Sequence, residues 1–269
     1  MSRLYKPSKN SHKGQNGKLL IIGGSKKYHG AAMLSILAAR RFVDLIYFLP
    51  GENDAGLISA VKTIPEVIVL QNIQEAKEYD SILFGIGLGE NKFDLQKISK
   101  LAPKIVIDGD GLKELIKFYP KTSLATQVIG QSTLNEKGEI VQKILEFPKN
   151  CIITPHEGEF KMLFGLDGTT QNIEKMAKKY SITILKKGAI DIISDGEKTK
   201  INKIHNQGMT KGGTGDVLSG LVSALSTKND NFKSAFEGAK ICGKAGNLCK
   251  KEFGFNFCAS DLADKLGQV

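Results

Sequence analysis

Apolar residues in this chain come in short unbroken runs. Lys18 to Ile22, Leu45 to Leu49, Val67 to Leu70, Ser81 to Phe84, Lys104 to Ile107, Cys151 to Ile153 and Ile182 to Leu185 each read as a strand. Runs without strict polar alternation fit strands buried on both faces. Elsewhere the period changes. Ala31 to Arg41 is a helix by composition. Val217, Leu218, Leu221, Val222 and Leu225 fall on one stripe at helical spacing, which predicts a helix from about Asp216 to Ser226. Another is expected from about Lys233 to Phe253. Asp191 to Ser194 and Lys198 to Ile204 read as a hairpin around Asp195-Gly196. Leu124 to Pro148 follows neither period. Asn135 to Glu139 reads there as a turn between two short segments of a β-excursion or an insertion.

Strands alternating with helices predict an α/β fold: a mostly parallel sheet wrapped by helices, in one domain over residues 1–269. Polar and glycine residues gather just after the strands, at Gly23-Gly24-Ser25, Gly85 to Gly89, Asp108-Gly109-Asp110, Thr154-Pro155-His156 and Lys186-Lys187-Gly188. That is the carboxyl edge of the sheet, where open α/β folds bind ligands.

Composition narrows the class. With 41% hydrophobic and 25% charged residues, the chain is an ordinary globular one. No run of 18 apolar residues occurs, and the polar start lacks an apolar signal core, so neither a membrane partner nor secretion is expected and the expected compartment is the cytoplasm. Cys151, Cys242, Cys249 and Cys258 form no CxxC pair, and the four histidines lack ligand spacing, so no metal ligand is singled out. Reduced, mostly buried thiols are expected. The net charge of +10 is spread over scattered lysine pairs, with no long basic block and no nucleic-acid-binding signature. A polyanionic small substrate accounts for part of that charge, and no nucleic-acid partner is expected.

The densest chemical signal is Asn206 to Asp216, in which Gly212, Gly213, Thr214 and Gly215 run into Asp216 just before the predicted helix. Amides at a helix start lack intrahelical partners and attract negative charge. Glycine lets them approach an anion with no Cβ in the way. Asp216 in the first turn adds a candidate general base, and together these suggest phosphoryl transfer to a hydroxyl. A glycine turn with a dipole-complementing aspartate is the plain structural alternative, but such glycine density is poor for stability. Other motifs are weak singly. Gly23-Gly24-Ser25 is not a P-loop, Gly85-x-Gly87-x-Gly89 is a tight turn as readily as a phosphate loop, His156 is also a natural helix cap, and Lys187 a natural surface lysine.

Taken together, Ser11-His12-Lys13-Gly14, Gly23-Gly24-Ser25 with Gly30-Ala31, Pro65-Glu66-Val67, Gly85 to Gly89, Thr154-Pro155-His156 with Gly158-Glu159, Lys187-Gly188 and Asn206 to Leu218 span nearly the whole chain. In this combination the chain resembles the NAD(P)H-hydrate dehydratases of the ribokinase-like superfamily, as a dehydratase domain without the epimerase domain often fused ahead of it. The resemblance implies a single-domain ribokinase-like three-layer fold with a mostly parallel central sheet. It implies dehydration of the S epimer of NADH or NADPH hydrate at the expense of ADP or ATP, with Mg²⁺ bridging the nucleotide phosphates. By matching positions, Asp216 is the catalytic base, acting on a ring hydroxyl. Lys187, Gly188, Ala189, Ile190 and Asp191, with Gly212, Gly213, Thr214 and Gly215, are implied to bind the nucleotide. Ala31, Gly87, His156, Asn206 and Asp216 are implied to line the hydrate pocket. A homotetramer is expected from the same resemblance.

The chain departs from the family pattern at Arg41 to Leu45, at Asp108-Gly109-Asp110-Gly111-Leu112 in place of DADAL, and at Gly85-Ile86-Gly87 in place of GPG. A small-molecule kinase of the same superfamily, of the thiazole or hydroxymethylpyrimidine type, is the alternative reading. It shares the anion loop and base but releases a stable phosphate ester. A non-enzymatic nucleotide sensor is a third, and would not need a base at Asp216.

Overall fold

A computed structural model describes residues 4–75, 78–89, 93–120, 132–134 and 140–269. Its central sheet contains β1 (Lys18–Gly23), β2 (Leu45–Pro50), β3 (Val67–Val69), β4 (Ser81–Ile86) and β5 (Ile105–Ile107). A small second sheet follows from β6 (Ile116–Pro120), β7 (Ser132–Leu134) and β8 (Ile140–Leu145), and β9 (Cys151–Ile153), β10 (Thr183–Lys186), β11 (Asp191–Ser194) and β12 (Thr199–Asn202) return to the first. The helices are α1 (His29–Ala39), α2 (Ala55–Val61), α3 (Leu95–Ile98), α4 (Glu157–Phe164), α5 (Thr170–Tyr180), α6 (Thr214–Ser226), α7 (Asn231–Phe253) and α8 (Ala259–Lys265).

The large sheet runs β12-β11-β10-β9-β5-β4-β1-β2-β3. Every pairing from β3 to β10 is parallel, and β11 and β12 add an antiparallel hairpin. Along β1 the pleat divides the apolar run between two layers. Leu19 and Ile21 pack into a core with α1, α6, α7 and α8, whereas Leu20 and Ile22 join a second core with α4 and α5. All four side chains are fully buried, as a strand covered on both faces requires. The expected three-layer, mostly parallel arrangement is therefore present.

Each strand expected from the pattern is found with its ends within two residues. Helix α1 starts at His29 and stops at Ala39, two residues ahead of the expected span at each end. Helices α4, α5 and α8 were not legible. Their first turns are set by side-chain caps: His156 accepts from the Glu159 amide, Thr169 from the Asn172 amide, and the Asp261 carboxylate accepts from the Cys258 amide. The segment read as a β-excursion or an insertion contains β7 and β8, which with the preceding β6 form an antiparallel sheet of order β6-β8-β7. The turn expected at Asn135 to Glu139 lies outside the described residues. Cys151, Cys242 and Cys249 are buried and Cys258 is exposed, all as free thiols. Among the described residues, no helix is long and apolar enough to cross a membrane.

Candidate active site

Helix α6 brings the glycine loop to the carboxyl edge of the sheet. Gly213 is its N-cap at φ +93°, a left-handed conformation in which a Cβ would collide with Leu34 and crowd Ala259. The helical ladder begins where the Val217 amide donates to the Gly213 carbonyl (3.0 Å), so the Gly215 and Asp216 amides lie ahead of it. Thr214 Oγ1 donates back to the carbonyls of Met209 (2.8 Å) and Lys211 (2.9 Å), fixing the entry. A Cβ on Gly212 would meet no atom within 4 Å, so that face of the loop is open to a ligand.

Asp216 sits in the first turn of α6 and is the charged centre of the site. Burial raises its carboxyl pKa, Asp108 and Glu159 raise it further, and Lys187 opposes them; the result is about 7. Such a group holds and releases a proton near neutrality, as a general base must. The Ser35 hydroxyl donates to the Asp216 carbonyl (2.9 Å), tying this turn to α1.

Lys187 reaches across from the end of β10. Its Nζ lies 2.6 Å from Asp108 Oδ1 and 3.5 Å from where a Cβ on Gly215 would stand, so the ammonium lies over the first turn of α6. Burial pulls its pKa down, but Asp108, Glu159 and Asp216 outweigh burial and hold it above the usual lysine value. Its amide donates to the Pro155 carbonyl (2.8 Å), which joins the β9 and β10 ends. The next residues form an exposed turn through Gly188, Ala189 and Ile190. Asp191 closes that turn: Oδ1 accepts from the Gly188 amide (3.2 Å) and Oδ2 from Asn202 Nδ2 (3.0 Å).

The expected pocket residues divide. Gly87, at φ +55°, stands where a Cβ would lie 3.1 Å from the Ala31 Cβ, so these two share one surface. His156 is exposed and caps α4: Nδ1 accepts from the Glu159 amide (3.2 Å) while Glu159 Oε2 accepts from the His156 amide (2.8 Å). Asn206 is buried and its carboxamide is already committed. Oδ1 accepts from the Gly208 amide and Nδ2 donates to Asn247 Oδ1, both at 3.0 Å, so it shapes the loop from behind.

Two residues with no individual role assigned from the sequence belong to this cluster. Asp108, only 3% exposed, ends β5 and carries the ion pair to Lys187. Its one sequence signal was a carboxylate at a strand end beside a glycine. Glu159 faces the same charges; burial raises its carboxyl pKa, Asp108 adds to the rise and Lys187 opposes it. Its signal was the capping spacing from His156.

A family model described as NAD(P)H-hydrate dehydratase matches residues 19–127 and 127–268. The chain belongs to the NAD(P)H-hydrate dehydratase family. It is 38% identical to a bifunctional NAD(P)H-hydrate repair enzyme from Methanocaldococcus jannaschii over all of this chain and 51% of the relative. It is 34% identical to an ADP-dependent (S)-NAD(P)H-hydrate dehydratase from Cenarchaeum symbiosum over 99% of this chain and 93% of that one. The chain thus spans about half the length of its bifunctional relatives and nearly all of the single-activity one. In fold it is similar to the ADP/ATP-dependent NAD(P)H-hydrate dehydratase of Bacillus subtilis co-crystallized with ATP/Mg²⁺. That match has TM-score 0.75 and 23% identity over 98% of this chain and 92% of that one. In this chain the dense glycine loop, Asp216 and Lys187 lie together at one sheet edge.

Proposed function

We propose that the chain, acting as one ribokinase-like domain over residues 1–269, dehydrates the S epimer of NADH or NADPH hydrate at the expense of ADP or ATP. The observation that carries this reading is the Asp216 carboxyl in the first turn of α6, just after the glycine cap and beside the Lys187 ammonium, with burial raising its pKa to about 7. A ring hydroxyl is a poor leaving group, whereas its phosphate ester leaves readily. Asp216 takes the hydroxyl proton as the oxygen attacks the terminal phosphorus. The bond from that phosphorus to the rest of the nucleotide breaks, and the Gly212 to Gly215 amides stabilise charge on the transferring group. The ring C–O bond then breaks and phosphate departs, while the neighbouring ring carbon gives up a proton to solvent and its C–H electrons re-form the ring double bond. The Lys187 to Asp191 turn supports the nucleotide, and Lys187 moves from Asp108 toward phosphate oxygens. Ala31, Gly87 and His156 border the hydrate, and Asn206 holds the loop.

The donor set fits Mg²⁺ arriving with the nucleotide. Among the described residues, no group of three His, Cys, Asp or Glu side chains forms a protein-only site. Mg²⁺ commonly keeps waters and phosphate oxygens beside one or two carboxylates. Glu159 and Asp108 are the carboxylates available, and the ion would neutralise phosphate charge. A cytoplasmic location and a homotetramer complete the proposal; light scattering tests the latter. Incubation with S-NADH hydrate, Mg²⁺ and either ADP or ATP should restore the near-ultraviolet absorbance of NADH. No recovery with either nucleotide would overturn the reading.

A further inference from the structure

The phosphoryl donor meets two segments of the chain, the Lys187 to Asp191 turn and the Gly212 to Gly215 loop. A short stretch between them holds both in one frame. β12 ends at Asn202, and the chain then reaches the glycine loop through Ile204, His205 and Asn206. Two asparagines peg this stretch. Asn202 Oδ1 accepts from the Ile204 amide (3.2 Å), and Asn206 Oδ1 accepts from the Gly208 amide (3.0 Å). Each also donates through Nδ2 at 3.0 Å, Asn206 to Asn247 on α7 and Asn202 to Asp191 Oδ2.

Asn202 is only 3% exposed and stands directly across the β11-β12 ladder from Asp191. A carboxamide has one accepting end and one donating end. Only one orientation of Asn202 therefore serves both the Ile204 amide and the Asp191 carboxylate. Burial raises the Asp191 pKa, and the Asn202 hydrogen bond is the largest influence against that rise, ahead of Gly188, His205 and Lys186. Asn202 thus favours a charged carboxylate in a partly buried place. The other carboxylate oxygen accepts from the Gly188 amide (3.2 Å), which pins the turn while Gly188, Ala189 and Ile190 stay exposed. Each Asp191 oxygen accepts an internal donor, so this side chain shapes the turn from within.

We propose that Asn202 is a positioning residue for the phosphoryl donor. Through Asp191 it holds the Lys187 to Asp191 turn in its nucleotide-receiving form, and through Ile204 it ties that turn to the path into the glycine loop. The proposal rests on the repair reading above for the identity of the donor. A turn ordered before the nucleotide arrives spares binding the entropy of ordering it. In the same reading the hydrate is bordered by Ala31, Gly87 and His156, so its affinity should not follow Asn202.

The test is calorimetric titration of the intact chain and its variants with ADP, ATP and S-NADH hydrate, each with Mg²⁺. Asn202→Asp keeps the shape of the side chain but sets a second carboxylate against Asp191. The Kd for the nucleotide that the parent binds more tightly should rise about tenfold, the scale of one lost charge-assisted hydrogen bond. The Kd for the hydrate should stay within about twofold. Should Asn202→Asp not fold, Asn202→Ala removes the same donor and should show the same split. The Asp191→Asn/Asn202→Asp exchange reverses donor and acceptor at unchanged net charge. It lets the bonds to Gly188, between the two side chains and to Ile204 re-form, and should bring the nucleotide Kd back to within about threefold of the parent. An asparagine that only stabilises the fold would lower the melting temperature of the single variants and leave their nucleotide Kd unchanged, which would overturn the proposal. So would equal weakening of nucleotide and hydrate, an exchange variant as weak as the single one, or a parent that binds neither ADP nor ATP. Recovery of NADH by the parent tests the repair reaction separately, so the two ideas fail in different measurements.

Discussion

The two ends of α6 are built on opposite terms. At its C-terminal end the polar groups are satisfied. Lys104 Nζ donates to the carbonyls of Ser226 (2.9 Å) and Asn229 (2.8 Å), and Ser226 and Ser81 share a buried hydroxyl contact of 2.7 Å. At its N-terminal end the cap is a left-handed glycine, amides stand ahead of the helical ladder, and a partly buried aspartate is flanked by two further carboxylates. The first arrangement is what stability asks for. The second stores unfavourable electrostatics that Lys187 offsets in part and that a ligand or a proton would relieve, as functional sites commonly do.

Asp216→Asn is the sharpest way to break this contrast. Without the base, turnover should fall by about 10²–10⁴-fold while ADP still binds, as measured by NADH recovery and calorimetry. Retained turnover would remove Asp216 as the base. The folded-state pKa is raised, so the folded protein holds this proton more tightly than the unfolded chain. Stability from this group is therefore present below the unfolded value and is lost as pH rises toward about 7. The asparagine variant should accordingly melt higher than the parent at pH 8 and show a smaller advantage at pH 4.

Gly213→Ala attacks the same end through the backbone. A φ of +93° disfavours any Cβ, and the added methyl runs into Leu34. The strain of about 1–2 kcal/mol and an overpacking cost of about 1–3 kcal/mol together suggest a loss near 3 kcal/mol. Thermal denaturation should show a fall of roughly 6–12 °C. An unchanged melting temperature would mean that the loop tolerates another backbone path.

The sheet was legible because strands buried on both faces leave unmistakable apolar runs, and the glycine loop because glycine density at a helix start has few other uses. Asp108 was not. It pairs with Lys187 across 79 residues of sequence, and only the β5-β9-β10 order of parallel strands brings their ends together. His156 was legible in two ways, and the structure shows it in the capping role. Asn206 lies in the right motif, yet its side chain faces Gly208 and Asn247; periodicity cannot report such a direction.

Asp108→Asn sharpens the electrostatic half of the comparison. Asp108 raises the Asp216 pKa and engages Lys187, which lowers it. Removing the Asp108 charge should shift the acid limb of the rate profile below its parental midpoint near pH 7, because both changes favour the charged base. Turnover should fall about tenfold, the effect of roughly 1.4 kcal/mol of lost positioning. A midpoint that stays put or moves upward would show that Asp108 does not tune the base.

Lys104→Met tests the quiet end. Burial lowers the Lys104 pKa, against raising contributions from Asp230 and Asp80, so its ammonium is held at some electrostatic expense. It nevertheless donates to two carbonyls at the helix terminus, where positive charge also complements the dipole. Methionine keeps most of the packing volume but leaves those carbonyls without their donor, which should lower stability by about 1–2 kcal/mol and the melting temperature by roughly 2–8 °C. Turnover per folded molecule should stay within about twofold of the parent, since Lys104 acts at the opposite end of α6 from the base and any transmitted effect would be under about 0.5 kcal/mol. A large loss of turnover with unchanged stability would mean that the two ends of α6 are coupled and that the division between a stabilising end and a reactive end does not hold.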